Sequence, residues 1–221
     1  MLQKATLEFL RDLKKHNEKS WFDANRKRYE TAKADFTEFL QGVIDDHAKK
    51  DNGLTGLKAR SCLFRINRDI RFSKDKSPYK TNFGASVNRG GKKSILAGYY
   101  LHLEPGGSFV GGGIWMPEPP ELAKVRQEID YYFDRFCRIL GSKKFKDVYG
   151  SLHDGDEHKL SRVPKGYEPD NPAAEHLKLK SFIATRPISD KEMMSKELKK
   201  IVLDSFTALQ PLTEFINTAL D

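Results

Sequence analysis

Between Phe83 and Trp115 the chain alternates extended, apolar-rich runs with short glycine-bearing turns, and this spacing leaves little choice of fold. In residues 95–104, Tyr99, Leu101 and Leu103 fall on one side and Tyr100, His102 and Glu104 on the other. That is the period of a strand with one face buried. A run at 83–88 comes before the turn Arg89-Gly90-Gly91-Lys92, and a run at 108–115 follows Pro105-Gly106-Gly107. Turns this short join antiparallel neighbours. Upstream, Cys62, Phe64 and Ile66 alternate with Leu63, Arg65 and Asn67, which predicts a half-buried first strand.

Helical periodicity flanks these runs. Leu7, Leu10 and Leu13 predict a helix over 3–15, and Ser20 is the expected cap of a longer one over 20–49. Leu122, Val125, Ile129, Phe133, Phe136 and Leu140 form a stripe after Pro117 and Pro120, and a small helix is expected over 142–149. Residues 150–176 read as irregular and 181–186 as a returning strand. Ser189 and Glu192 have the spacing of a capping box for a C-terminal helix, with an interruption expected near Pro211. The pattern is α+β: an antiparallel meander with N-terminal, central and C-terminal helices packed against it. A single domain, 1–221, is expected, with helices in 3–50, a strand-rich core in 60–116, and helices with the returning strand in 117–221.

Cys62 and Cys137 form no disulfide framework, which fits a reducing compartment. The longest apolar-rich run, 95–103, falls well short of the ~20 residues a spanning helix needs. Glu8, Arg11 and Asp12 break up any leader-like apolar stretch. A cytoplasmic protein with no membrane partner is expected, and oligomeric state is not legible.

The net charge is +8, and half of it sits in residues 65–80. There Arg65, Arg68, Arg71, Lys74, Lys76 and Lys80 outnumber Asp69 and Asp75. Guanidinium forks and ammonium charges at this density suit phosphate or carboxylate oxygens, and Ser73, Ser77, Tyr79 and Thr81 add hydroxyls. The bland alternative is a solvated loop of Arg–Asp pairs. Gly111-Gly112-Gly113, between Phe109 and Trp115, reads either as the bare floor of a pocket or as a bulged strand packed under a helix. His102, beside Tyr100 and Glu104, is a candidate acid or base, or a structural histidine. His153 and His158 enclose three carboxylates at a spacing that matches no standard metal site, so neither metal nor cofactor is expected.

The run Arg68-Asp69-Ile70-Arg71-Phe72-Ser73-Lys74-Asp75-Lys76-Ser77-Pro78-Tyr79-Lys80 resembles the signature of the family called domain of unknown function 2461. Asn17 with Trp21-Phe22, the stretch from Gly98-Tyr99-Tyr100 to Trp115-Met116-Pro117, Arg126, and Leu160 to Tyr167 with Leu179-Lys180 resemble it too. The resemblance covers nearly the whole chain. It implies a single domain and brings no reaction with it. It marks Arg65, Arg68, Asp69, Arg71, Lys74, Asp75, Lys76, Tyr79 and Lys80 as the leading site residues, with Trp115, Arg126, Arg162 and Lys165 behind them.

The expected function is binding of a phosphate-bearing small molecule at 65–80. Nucleic acid is a possible partner but not a favoured one, because acids spread through the rest of the chain leave no long electropositive track and no standard motif appears. Two alternatives stay open. One is a metal-free hydrolase or transferase acting on a phosphorylated or carboxylated substrate, with Asp69, Tyr79 or His102 moving a proton. The other is a structural Arg–Asp network in an interaction protein.

Overall fold

A computed structural model describes residues 1–221, apart from the side chain of Asp156. Helix α1 (Lys4–Lys15) buries Leu7, Phe9, Leu10 and Leu13, as its periodicity predicts. The helix expected over 20–49 is two: α2 (Lys19–Ala24) and α3 (Arg26–His47). Asn25 separates them. Its side chain donates to the Trp21 carbonyl at 2.9 Å, the kind of local bond with which asparagine competes against the helical ladder. Glu18, not Ser20, stands at the α2 N-terminus.

The first expected strand is not one. Cys62 closes a single helical turn, α4 (Ala59–Cys62), and beyond it only Leu63 and Asn67 make bridges, to Ala85 and Tyr79. Cys62 and Leu63 are both buried while Phe64 is 40% exposed, so the apparent alternation does not hold. A bend at Ile66 separates the two bridges, which pair with different segments and so do not join into one ladder.

Strands β1 (Phe83–Val87), β2 (Gly98–Leu103) and β3 (Phe109–Ile114) follow the predicted runs. Next come α5 (Pro119–Tyr131) and α6 (Phe133–Gly141), broken at Tyr132, then α7 (Lys143–Tyr149), capped by the Ser142 hydroxyl. A short α8 (Ala174–Leu177) precedes β4 (Phe182–Pro187). The Ser189–Glu192 capping box is present on α9 (Asp190–Met193). The final α10 (Leu198–Thr218) runs through Pro211 without the expected interruption. An internal proline costs about 3 kcal/mol. Leu209, Leu212, Phe215 and Ile216 around it are all buried, at roughly 1.5–3 kcal/mol each, which outweighs the lost bond.

The strands form one antiparallel meander in the order β1-β2-β3-β4. The chain makes two compact units interleaved in sequence. The first comprises Met1–Lys92, Tyr100–Val110 and Pro187–Asp204; its core holds the apolar stripe of α1 with Phe36, Leu40 and Val43 of α3, and Phe36 stacks on Phe83 at 5.6 Å. The second comprises Lys93–Tyr99, Gly111–Arg186 and Ser205–Asp221; there Tyr99 stacks on Phe206 at 4.5 Å and Phe136 meets Phe182 and Phe215. Among the described residues no helix is long and apolar enough to cross a membrane.

Candidate functional site

Residues 65–80 form a closed loop in the first unit. Its base is pinned by the Asn67–Tyr79 bridge and by bonds from Arg68 N–H to the Pro78 carbonyl (2.9 Å) and from Lys80 N–H to the Ile66 carbonyl (2.8 Å). Asn17 finishes the closure. Its amide donates to the Tyr79 carbonyl at 2.9 Å, and its oxygen accepts the Tyr79 N–H at 3.0 Å. The buried Tyr79 ring lies flat on Phe22, with centroids 4.0 Å apart. Asn17 and Phe22 are thus anchors for the loop, and Tyr79 is held as an anchor too, its phenol pushed up by burial.

Two of the arginines are engaged inside the loop. Arg68 pairs with Asp75, and Arg71 gives Asp69 two bonds, at 3.0 and 2.7 Å. Asp75 also accepts the Ser77 N–H and hydroxyl at 2.9 and 2.7 Å, and Ser77 with Arg68 holds its carboxyl well below the usual range. Bonds from Arg71, with the Arg65 charge, lower Asp69 too. Lys76 donates to the Ile70 carbonyl at 3.0 Å. Lys74 is exposed and has no hydrogen-bond or ion-pair partner among the described residues. At the tip, Phe72 is 95% exposed, with the Arg71 guanidinium 5.8 Å from its ring centre.

The cations at the loop base are placed differently. The Lys80 ammonium is half-buried, 5.4 Å from the centre of the Phe64 ring. Burial and the Arg65 charge lower its pKa. Neither Arg65 nor Lys80 has a carboxylate partner among the described residues.

From Phe64 the site continues along β2. Phe64 lies 6.3 Å from Tyr100. The Tyr100 hydroxyl is 3.3 Å from Nδ1 of His102, which also faces the Asn82 amide at 3.4 Å. Nε2 of His102 is 3.2 Å from Glu104, and the His102 ring stacks on Phe109 at 4.6 Å. Glu104 accepts the Thr81 hydroxyl at 2.8 Å, with the Lys14 ammonium 3.7 Å away. Burial opposes ionisation of Glu104, but Thr81, His102 and Lys14 together hold it below its ordinary value. Burial raises Tyr100. A methyl group at Gly84 would stand 2.5 Å from the Tyr100 hydroxyl, so a bare backbone there makes room for this row. Tyr100, Glu104 and Asn82 complete the surroundings of His102. The strand period already put the first two on its face, but nothing in the sequence marked Asn82.

The glycine run is not a pocket floor. A methyl group on Gly111 or Gly113 would sit 2.2 Å from the Ala184 carbonyl oxygen or 2.0 Å from that of Phe182, both on β4; on Gly112 it would meet the Gly98 carbonyl of β2 at 2.1 Å. Neighbouring backbone fills the strip. In the second unit, Trp115 is exposed with its edge on His158 at 5.4 Å, and Arg126 is half-buried and donates to the Leu179 carbonyl at 3.0 Å. Arg162 and Lys165 are exposed and bond to nothing among the described residues. No hydrogen bond, ion pair or ring contact joins these four residues to one another. His153 bonds Thr185 at 2.8 Å, and its ring centre lies 6.2 Å from that of His158.

A family model described as "conserved hypothetical protein (DUF2461)" matches residues 5–215. No curated protein and no solved structure matches the chain. The chain belongs to the DUF2461 family.

Proposed function

We propose that this member of the family binds a phosphate-bearing anion at the base of the loop, between Arg65 and Lys80. One observation carries the reading. The half-buried Lys80 ammonium lies 5.4 Å from the centre of the Phe64 ring with no ion-pair partner among the described residues. Arg65 acts on it and, from a distance, on Asp69, while Arg68 and Arg71 in the same loop are each paired with an aspartate. A bound anion offsets that repulsion and raises the Lys80 pKa back toward its ordinary value. Tyr100 and Asn82 supply neutral donors on the adjoining face. The test is calorimetric titration with inorganic phosphate, pyrophosphate and a nucleoside triphosphate. Lys80→Met should weaken binding at least about tenfold, the scale of one charge-assisted bond, while the melting temperature holds or rises. If none of the three probes binds saturably, the proposal fails.

The row on β2 favours a second reading, a hydrolase or transferase acting on the bound phosphate compound. Glu104, held ionised, accepts from Nε2–H of His102 and so leaves Nδ1 to accept the Tyr100 proton. Tyr100 is then the group that exchanges a proton with a ligand, and Glu104 is a positioning residue. On this reading Glu104→Gln lowers kcat and shifts the pH–rate profile while leaving KM nearly unchanged. If phosphate is released from neither phosphomonoesters nor nucleotides, binding alone remains.

A further inference from the structure

The most exposed large apolar side chain of the protein is Phe72, at the tip of its most basic loop. The loop that presents it is cross-linked. Asp75 ties Arg68 to Ser77, Asp69 holds both bonds of the Arg71 fork, Lys76 caps the Ile70 carbonyl, and Asn17 locks the base. The ring is therefore held out in water by a built structure. The Arg71 guanidinium lies 5.8 Å from the ring, and Lys74 and Lys76 of the same loop are both exposed.

We infer that this tip binds single-stranded nucleic acid, with Phe72 as the platform for one base and Lys74, Lys76 and the Arg65–Lys80 pair on the phosphates. The inference rests on the reading above, since it makes the anion at Arg65–Lys80 one phosphate of the strand. A ring bordered by cations matches a partner in which flat apolar faces alternate with charges. A duplex keeps its base faces covered, and the loop carries no helix or ribbon to enter a groove. An anionic membrane fits less well, because one ring flanked by Asp69 and Asp75 offers little apolar surface to insert. The footprint is short. Acids elsewhere in the chain interrupt any longer track, so only about three phosphates are engaged.

Fluorescence anisotropy with a short labelled oligodeoxythymidine tests this, beside the pyrophosphate titration. Phe72→Ala should weaken oligonucleotide binding about tenfold, the loss of one stacked base, and leave pyrophosphate binding and the melting curve alone. Phe72→Trp should restore or improve it. Between roughly 50 and 200 mM salt the affinity should fall about tenfold to thirtyfold, as expected for three contacts on a single strand. If pyrophosphate binds in a Lys80-dependent way but the oligonucleotide binds no tighter and Phe72→Ala changes nothing, the inference falls and the anion site stands. If neither ligand binds, both fall. If Phe72 is needed instead for sedimentation with phosphatidylserine vesicles and the oligonucleotide does not bind, the tip is a membrane contact and the inference is overturned.

Discussion

The glycine run 111–113 and the basic loop 65–80 look equally unusual in sequence, and the structure uses them in opposite ways. At the glycines every direction a side chain would take is filled by the carbonyl of a neighbouring strand, at 2.0 to 2.2 Å. At the loop tip a phenyl ring stands 95% in solvent and an adjacent lysine has no partner among the described residues. The glycines answer a packing demand, and what they contribute is spent within the fold. The loop leaves contact surface and charge unused by the fold, which is what a ligand requires. Compositional oddity alone does not separate these cases; the neighbours do.

The sharpest way to break this contrast is Gly113→Ala. Its methyl would overlap the Phe182 carbonyl from a backbone at φ +111°, so a loss of at least about 4 kcal/mol is expected in urea unfolding, among the largest single-residue effects. A loss under about 1 kcal/mol would mean the strands part easily and the strip is open after all. Next in size is Asn17→Ala. It removes two bonds from the Tyr79 main chain and should cost about 2 kcal/mol at roughly 1 per bond. Faster amide exchange should be confined to residues 66–80; uniform exchange would show that the loop is not separately anchored. The smallest effect belongs to Arg71→Ala, whose guanidinium and Asp69 partner are exposed. The urea midpoint at neutral pH should fall only slightly. Arg71 holds Asp69 below its ordinary value, so whatever the pair contributes is present above about pH 4 and is lost as the pH falls through the lowered value. The variant and its parent should therefore converge in acid.

Much of the scaffold was legible residue by residue. The alternation of Tyr99, Leu101 and Leu103 with Tyr100 and His102 located β2 and its two faces, because burial on one side of a pleat leaves a period of two. Ser189 and Glu192 announced their capping box. The strand expected at 62–67 was misread because Cys62 and Ile66 are buried at either end of a turn and a bend, which imitates alternation without a ladder. Pro211 was read as a break because its local cost is visible in sequence, whereas the burial that outweighs it is not. Residues 65–80 stood out by charge and by their resemblance to the family signature.

From sequence one could determine the order of elements, the faces of the strands and the density of charge in one stretch, since these depend on local periodicity and composition. Only the tertiary structure decided which charges cancel. Arg68 and Arg71 find aspartates within their own loop, while Arg65 and Lys80 form no ion pair among the described residues, and Phe72 is turned outward. Electrostatic pairing and burial act through distances of a few ångströms in space, and positions in a chain do not encode those distances until the loop has closed on Asn17.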